Sequence, residues 1–492
     1  MCTSVSYRQS RLWVLLGLGT YFTLHCLMRP LLSQSLELDE AEQMLLSQGF
    51  CWGYTGQPPL YTWLQIGVFE LTGRHILGLS LLKNLLLFLA YWFNYLTACR
   101  LFGDDGRRVA LVTLSWFLVR QIAWEAQRDL SHSVIALALA SASLFWIVRG
   151  LDRRGPLWYP LHGILLGLGV LAKYNFGLYL LAAHIALLTL PAGSKMLLNG
   201  RILIALLAMA AVVSPHVAWF LEHTASGLGS AHKLQISESV SHWATIGNLS
   251  IAVIDFLSPL WLVYAVLFWR HLQRMPELAP VDHTFIRRYV VAGFSLLALS
   301  VLGIGVGHVS DRWMTPLLFA LPAAFFCSAV EIPERSYRWF RGIAVAAAML
   351  VLLFSALRAT LWPSLFGPTR LQFPFTEFAG QLVREGFTQG IVIADSAHVA
   401  GNLLHQIPAL VAYTPSVGVF AFSRRPTTGN RLLVVWNAEK HREMPEKLVR
   451  YLRTAWSLQP EKLKPVYYSQ PYRYSYRRMA VLGVVELVRD GP

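Results

Sequence analysis

With 492 residues, 55% of them hydrophobic and only 14% charged, and a mean hydropathy of +0.46, the chain is too apolar for an ordinary soluble globular protein. The 42 basic against 27 acidic residues leave a net charge of +15, which in a membrane protein reflects basic anchors beside the spans, so nucleic acid is set aside as a partner. The five cysteines form no CxxC motif, and four of them (Cys2, Cys26, Cys99, Cys327) lie at the N-terminus or inside apolar segments, which argues against a disulfide framework or a cysteine-held metal.

A helix needs about 20 apolar residues to cross a bilayer. Runs of that character lie near residues 11–31, 76–101, 109–124, 131–149, 158–172, 176–190, 202–221, 244–269, 289–307, 313–330 and 342–361, which predicts a polytopic α-helical membrane protein of about 11 to 13 transmembrane helices. The stretch from Leu12 to Leu32 lacks a small-residue cleavage pattern and reads as a first span, not a signal peptide. Lysine and arginine in the short loops set the orientation. The N-terminus (Arg8, Arg11) and every second loop (Arg100, Arg107, Arg108; Arg149, Arg153, Arg154; Lys195, Arg201; Arg270, Arg274, Arg287, Arg288; Arg335, Arg338, Arg341) outnumber the other side (Arg29, Arg74, Arg120, Arg128, Lys173, Lys233, Arg312). The N-terminus is therefore expected inside, and an odd number of spans puts the C-terminal segment outside.

Past residue 361 the chain turns polar. Helix-like stretches (Thr376 to Phe387, Ser396 to His405, Glu443 to Trp456) alternate with β-branched runs (Gly390 to Ala394, Arg431 to Trp436, Met479 to Leu487), which predicts a small soluble α/β layer. The expected division is a membrane domain over 1–361, with an outer first loop at 32–75, and a soluble domain over 362–492.

This topology gathers the unusual polar residues on the outer side. The first loop carries Glu37, Asp39, Glu40 and Glu42, then Gln57-Pro58-Pro59-Leu60-Tyr61; the second carries Glu125, Arg128, Asp129 and His132. Lys173-Tyr174-Asn175 forms the third, Glu222, His223, His232, Lys233 and Glu238 mark the fourth, and His308, Asp311 and Arg312 the fifth. Ionisable groups at membrane depth are costly to keep. An enzyme acting on a phosphate-linked lipid needs such an inventory: a carboxylate to take a proton from an acceptor hydroxyl, and fixed cations for the departing phosphate. Asp39-Glu40 suits the first role, because adjacent carboxylates near lipid tend toward raised pKa values. Arg312, Lys173 and Arg128 suit the second.

Structural readings stand beside these. Asp39 to Glu42 fits the solvated face of an interfacial helix, Gln57-Pro58-Pro59 a chain break, Lys173 a snorkelling anchor, Asp311-Arg312 an internal ion pair, and the histidines ordinary loop residues. His223, His232 and Glu238 lack a metal-site spacing. Trp52, Tyr54, Tyr61 and Trp63 suit stacking on sugar rings and interfacial anchoring equally.

Taken in order, Asp39-Glu40 after the first span, Gln57-Pro58-Pro59-Leu60-Tyr61-Thr62-Trp63-Leu64, Arg128-Asp129-Leu130-Ser131-His132, Gly169-Val170-Leu171-Ala172-Lys173 and Asp311-Arg312-Trp313-Met314-Thr315-Pro316 resemble one family. It is the polyprenyl-phosphate-sugar glycosyltransferases of the bacterial protein-mannosyltransferase-like and aminoarabinose-transferase-like group, with the GT-C architecture, and the resemblance covers roughly residues 10–330. It implies an inverting transfer at the periplasmic face of the inner membrane, from a polyprenyl-phosphate sugar to a cell-envelope acceptor such as lipid A or lipopolysaccharide core. It also implies Asp39 as the base or acceptor-positioning group with Glu40 beside it, Asp129 as a second acidic position, and Lys173 and Arg312 at the lipid phosphate. Arg128, Gln57 and His308 complete the candidate donor side, and Tyr61, Trp52, Glu42 and His132 are weaker acceptor or sugar contacts. No cofactor follows beyond the lipid-linked donor, and a divalent metal is left open.

One departure bears on substrate. Aminoarabinose transferases carry Glu-Lys before the double proline, where this chain has Gly56-Gln57, so its wording is closer to galacturonosyltransferases that decorate lipopolysaccharide. The tail, with 16 Lys and Arg against nine Asp and Glu, suits an anionic glycolipid acceptor and ordinary solubility equally. The alternatives are a protein O-glycosyltransferase and a non-catalytic transporter or flippase for a lipid-linked sugar. The latter is disfavoured by the lack of internal repeats and by few mid-membrane charges, Lys83 and Asp255 excepted.

Overall fold

A computed structural model describes residues 2–227, 242–272, 279–304, 310–328, 331–417, 431–439, 441–460 and 464–488. The chain forms two compact units: Met1–Thr23, Gly56–Leu60 and Lys83–Leu352 make the first, and Leu24–Thr55, Tyr61–Leu82 and Leu353–Pro492 the second.

Apolar helices build the first unit. Across the chain, six helices among the described residues are long and apolar enough to cross a membrane: Leu12–Leu32 within α1 (Cys2–Leu32), Ile76–Phe102, His132–Asp152, Ile202–Glu222, Val281–Gly303 and Glu334–Thr360. Phe176–Leu188 and Pro191–Leu197, bent by 118°, make a seventh if they form one span. Leu203 and Leu207 on Ile202–Glu222 are 60% and 70% exposed, the apolar outer face that lipid contact requires. Inside, that helix packs closely on Trp158–Ala172: a Cβ on Gly163 would fall 2.0 Å from the Ala205 carbonyl oxygen, so the approach depends on glycine.

The other expected spans are shorter or broken helices. The run 109–124 divides into a helix over Gly106–Ser115, a 3-10 turn over Trp116–Leu118 and a π-turn over Gln121–Glu125. The run 244–269 divides at Ser258-Pro259 into His242–Phe256 and Leu260–Phe268, because proline removes a helical donor and restricts the residue before it. The two breaks meet: Val119 bridges Pro259, and the Arg120 amide donates to the Ser258 carbonyl at 3.2 Å. The run 313–330 likewise breaks into Thr315–Leu318 and Leu321–Phe326, each with a proline in its first turn.

The second unit centres on a five-stranded sheet, order β2-β1-β3-β5-β4, from β1 (Gly390–Ala394), β2 (Leu410–Tyr413), β3 (Arg431–Asn437), β4 (Val466–Tyr472) and β5 (Ser475–Val488). β1 runs parallel to β2 and β3, while β5 is antiparallel to β3 and β4. Val392, Ile393, Val434 and Val435 are fully buried, as central strands require. The same unit takes in α2 (Leu38–Leu46) and most of α3 (Leu60–Thr72) from the first loop. Leu36, Ala41, Met44 and Leu45 of that loop share one buried cluster with Leu403 and Leu404 of the helix Ala397–Gln406.

Candidate functional site

The first turn of α2 holds the acidic candidates. Glu37 caps the helix and Glu40 closes a capping box, its Oε2 accepting the Glu37 amide at 2.9 Å. The acidic turn suits the positive end of the helix dipole. Arg29, at the end of α1, forks onto Glu40 (Nε to Oε1 3.0 Å, Nη2 to Oε2 2.5 Å) and donates to the Ser33 and Ser35 carbonyls. Arg358 donates to Glu37 at 2.5 Å. Glu40, 4% exposed, is engaged as a cap and ion-pair partner, whereas Asp39 and Glu42 are half-buried on the same helix.

Beneath this turn, Tyr61 is 2% exposed, so its ring is not open to a sugar. Burial pushes its phenol above the usual range, reinforced by the charges of Asp39 and Glu40, and it stays protonated. Trp52 is instead 49% exposed and packs edge-on against Phe50 and Trp63, with centroids at 5.1 and 5.7 Å. Gln57 is half-buried just before α3.

In the first unit the carboxylates are organised by a residue that the sequence did not single out. Arg120 sits between the 3-10 and π-turns and contacts three carboxylates: Glu125 at 3.3 Å, Asp311 at 2.9 Å, and Asp255. Arg128 also pairs with Glu125, at 2.6 Å. Asp311 therefore pairs with Arg120 and not with its neighbour Arg312. Arg312 is half-buried and, among the described residues, forms no ion pair. Asp129 and His132 are 4% and 7% exposed, and the His132 Nδ1 lies 3.3 Å from the Ala172 carbonyl oxygen. The next residue, Lys173, donates to Ser133 Oγ at 2.7 Å, which brings the Asp129–His132 segment and Lys173 to one place.

His308, together with His232, Lys233 and Glu238, lies outside the described residues. Among the described residues no group of three His, Cys, Asp or Glu side chains is placed to hold a metal ion. A signal for Arg120 and Asp255 was present: each is a charge within an apolar run, where a partner is expected. Lys83, also within such a run, reaches the Gln127 carbonyl at 3.5 Å.

Residues 56–219 match the family described as Dolichyl-phosphate-mannose-protein mannosyltransferase. The chain is 32% identical over 450 residues to the lipopolysaccharide core galacturonosyltransferase RgtB of Rhizobium johnstonii, covering 88% of each chain. It is 30% identical to RgtA of that organism, also a lipopolysaccharide core galacturonosyltransferase, over 86% of each, and 26% identical to its lipid A galacturonosyltransferase RgtD over about half of each. In fold it is similar to ArnT from Cupriavidus metallidurans bound to undecaprenyl phosphate, with a TM-score of 0.60 at 14% identity over 98% of this chain and 99% of that one. Identity of that extent with RgtB, on an ArnT-like fold, decides the family: the chain belongs to the GT-C glycosyltransferases of the protein-mannosyltransferase-like and aminoarabinose-transferase-like group and is a glycosyltransferase.

Proposed function

We propose that this enzyme transfers a sugar, galacturonic acid before aminoarabinose, from a polyprenyl-phosphate donor to lipid A or lipopolysaccharide core at the periplasmic face of the inner membrane. The galacturonosyltransferase relatives and the Gly56-Gln57 departure support the sugar and acceptor class. The lipid seen in ArnT supports the donor class. Membership of a glycosyltransferase family removes the non-catalytic transporter from the alternatives.

The ion-pairing pattern carries the chemical reading. Glu37, Glu40, Glu125, Asp255 and Asp311 are committed to arginines, while Arg312 is half-buried with no ion pair among the described residues. A leaving phosphate fits such a cation. In an inverting displacement the acceptor oxygen attacks the anomeric carbon, Asp39 takes the hydroxyl proton, and the bond from that carbon to the phosphate oxygen breaks. Lys173 and Arg312 stabilise the departing polyprenyl phosphate, with Arg128, Asp129, Gln57 and His308 as further donor-side candidates. An acceptor phosphate is already anionic, and Asp39 then only orients it. Trp52 offers an exposed ring to a sugar, with Glu42 on α2 as a further candidate contact.

The test is mass spectrometry of lipid A and core oligosaccharide from cells with the protein, without it, and with Asp39→Asn. Loss of a hexuronic-acid mass in both altered strains is expected. Unchanged glycolipids with label appearing in protein would move the reading to a protein acceptor; a change in the deletion alone would remove Asp39 from the chemistry.

A further inference from the structure

We infer that Arg29 and Arg358 are positioning residues, which fix the first turn of α2 and so set where Asp39 stands. The inference rests on the reading of Asp39 as the acting carboxylate. Three carboxylates occur within four residues, and the structure treats them differently. Glu37 and Glu40 are 1% and 4% exposed, each held by an arginine from another helix, while Asp39 between them keeps accessible surface.

The two arginines act from distant parts of the chain. Arg29 closes α1 and, besides its fork on Glu40, ties down the Ser33 and Ser35 carbonyls, fixing the turn that leads into α2. Arg358 ends the last span, 321 residues from Glu37. Its helix end is capped in turn by Gln372, whose Nε2 donates to the Arg358 and Ala359 carbonyls at 3.1 and 3.0 Å. The neighbouring Leu371 and Phe373 carbonyls accept from Ser33 and Ser35, each at 2.6 Å. The frame is therefore closed. Among the described residues Glu37 Oε2 has no hydrogen-bond donor, and the next cation, Arg370, is 4.0 Å away, so Arg358 is the principal cation on the N-cap.

The two pairs differ in a way that can be tested. Arg29 uses the planar fork, which lysine cannot reproduce; Arg358 uses one nitrogen, which lysine can replace. The experiment measures transfer by the purified full chain in nanodiscs, with undecaprenyl-phosphate galacturonic acid and lipid A as substrates, beside each variant's unfolding temperature. Arg358→Gln should lower kcat about tenfold or more with donor KM within about twofold, and Arg358→Lys should recover part of it. Arg29→Lys should resemble Arg29→Gln. The Glu37→Gln/Arg358→Gln double variant should be no worse than Arg358→Gln, since the arginine acts through Glu37. Wild-type kcat in Arg358→Gln, additive loss in the double variant, or a change in KM alone would overturn the inference. If Arg358→Gln fails to accumulate, Arg358→Lys and Glu37→Gln carry the same comparison.

A second measurement needs no transfer. In a Cys51→Ser, Asp39→Cys background, Arg358→Lys should change the rate of maleimide labelling at position 39 several-fold, and an unchanged rate would count against positioning. Wild-type turnover in Asp39→Asn would instead remove the base role. An inactive wild type would discredit the chosen substrates and leave the labelling result standing.

Discussion

Arg120 shows how a single side chain decides what its neighbours can do. It satisfies Glu125, Asp255 and Asp311 together, so Arg120→Ala leaves three carboxylates facing one another. Breaking a buried pair costs about 3–5 kcal/mol, but Arg120 is 37% exposed and water screens part of that. A loss of about 1–2 kcal/mol is expected, read as a lower unfolding temperature and partly recovered by adding Asp311→Asn. On the proposed reading, Arg312→Ala should leave folding unchanged and reduce donor turnover about 100-fold, because the leaving phosphate loses a counter-charge while no ion pair among the described residues is broken; unchanged donor kinetics would return Arg312 to a structural role. Residue types were legible in the sequence, and on them Asp39, Lys173 and Arg312 stand as candidates. Pairing was not. Adjacency suggested Asp311 with Arg312, whereas the side chain that takes Asp311, Arg120, arrives from another element.

At the scale of elements, the helix Ala397–Gln406 supports α2 from behind. A Cβ on Gly401 would stand 2.1 Å from the Ala41 carbonyl oxygen, so Gly401→Ala must displace one helix from the other. Overpacking of this kind costs about 1–3 kcal/mol. Reduced transfer with the β-sheet signal retained is expected by activity assay and circular dichroism.

The same helix carries an acid sensitivity. Burial holds His398 and His405 down at about 4, against an ordinary 6.5; Arg370 opposes protonation of His398, and Arg29 and His75 oppose that of His405. The unfolded chain therefore binds more protons between those values, so stability falls as pH drops from 6.5 toward 4, by about 2 kcal/mol for each histidine once partial exposure is allowed for. Unfolding temperatures at pH 7.5 and 5 should show the loss, and His398→Gln with His405→Gln should flatten it.

The strands β1, β3 and β5 fall where the β-branched runs place them. β2 has only four residues, and β4 is rich in tyrosine and polar residues at the sheet edge, so neither carries a clear alternation. The apolar runs at 109–124 and 244–269 were visible as runs. Their shared joint was not, because a non-helical contact between segments leaves no periodic trace.

For the molecule as a whole, ordered motifs gave the family, and the expected division of the chain came from composition alone. Contact places a boundary at Leu353 and joins the first loop to the C-terminal sheet. A chain ending at residue 361 would therefore uncover Leu36, Ala41, Met44 and Leu45, all 0% exposed in the full structure. Rapid proteolysis within residues 32–75 of that truncation is expected, against resistance in the full chain. Equal resistance would mean that the loop folds unaided.

The Leu36 amide finds its partner, the Asn402 side chain, 366 residues further along the chain. At about 5–20 residues per second, a ribosome needs roughly 20 to 70 seconds to cover that distance. Throughout that interval the acidic first loop exists without the helix that its Leu36 amide contacts. Docking of that loop therefore reports that the chain has been made at least as far as Asn402, and a chain terminated before it lacks that hold on the acidic turn.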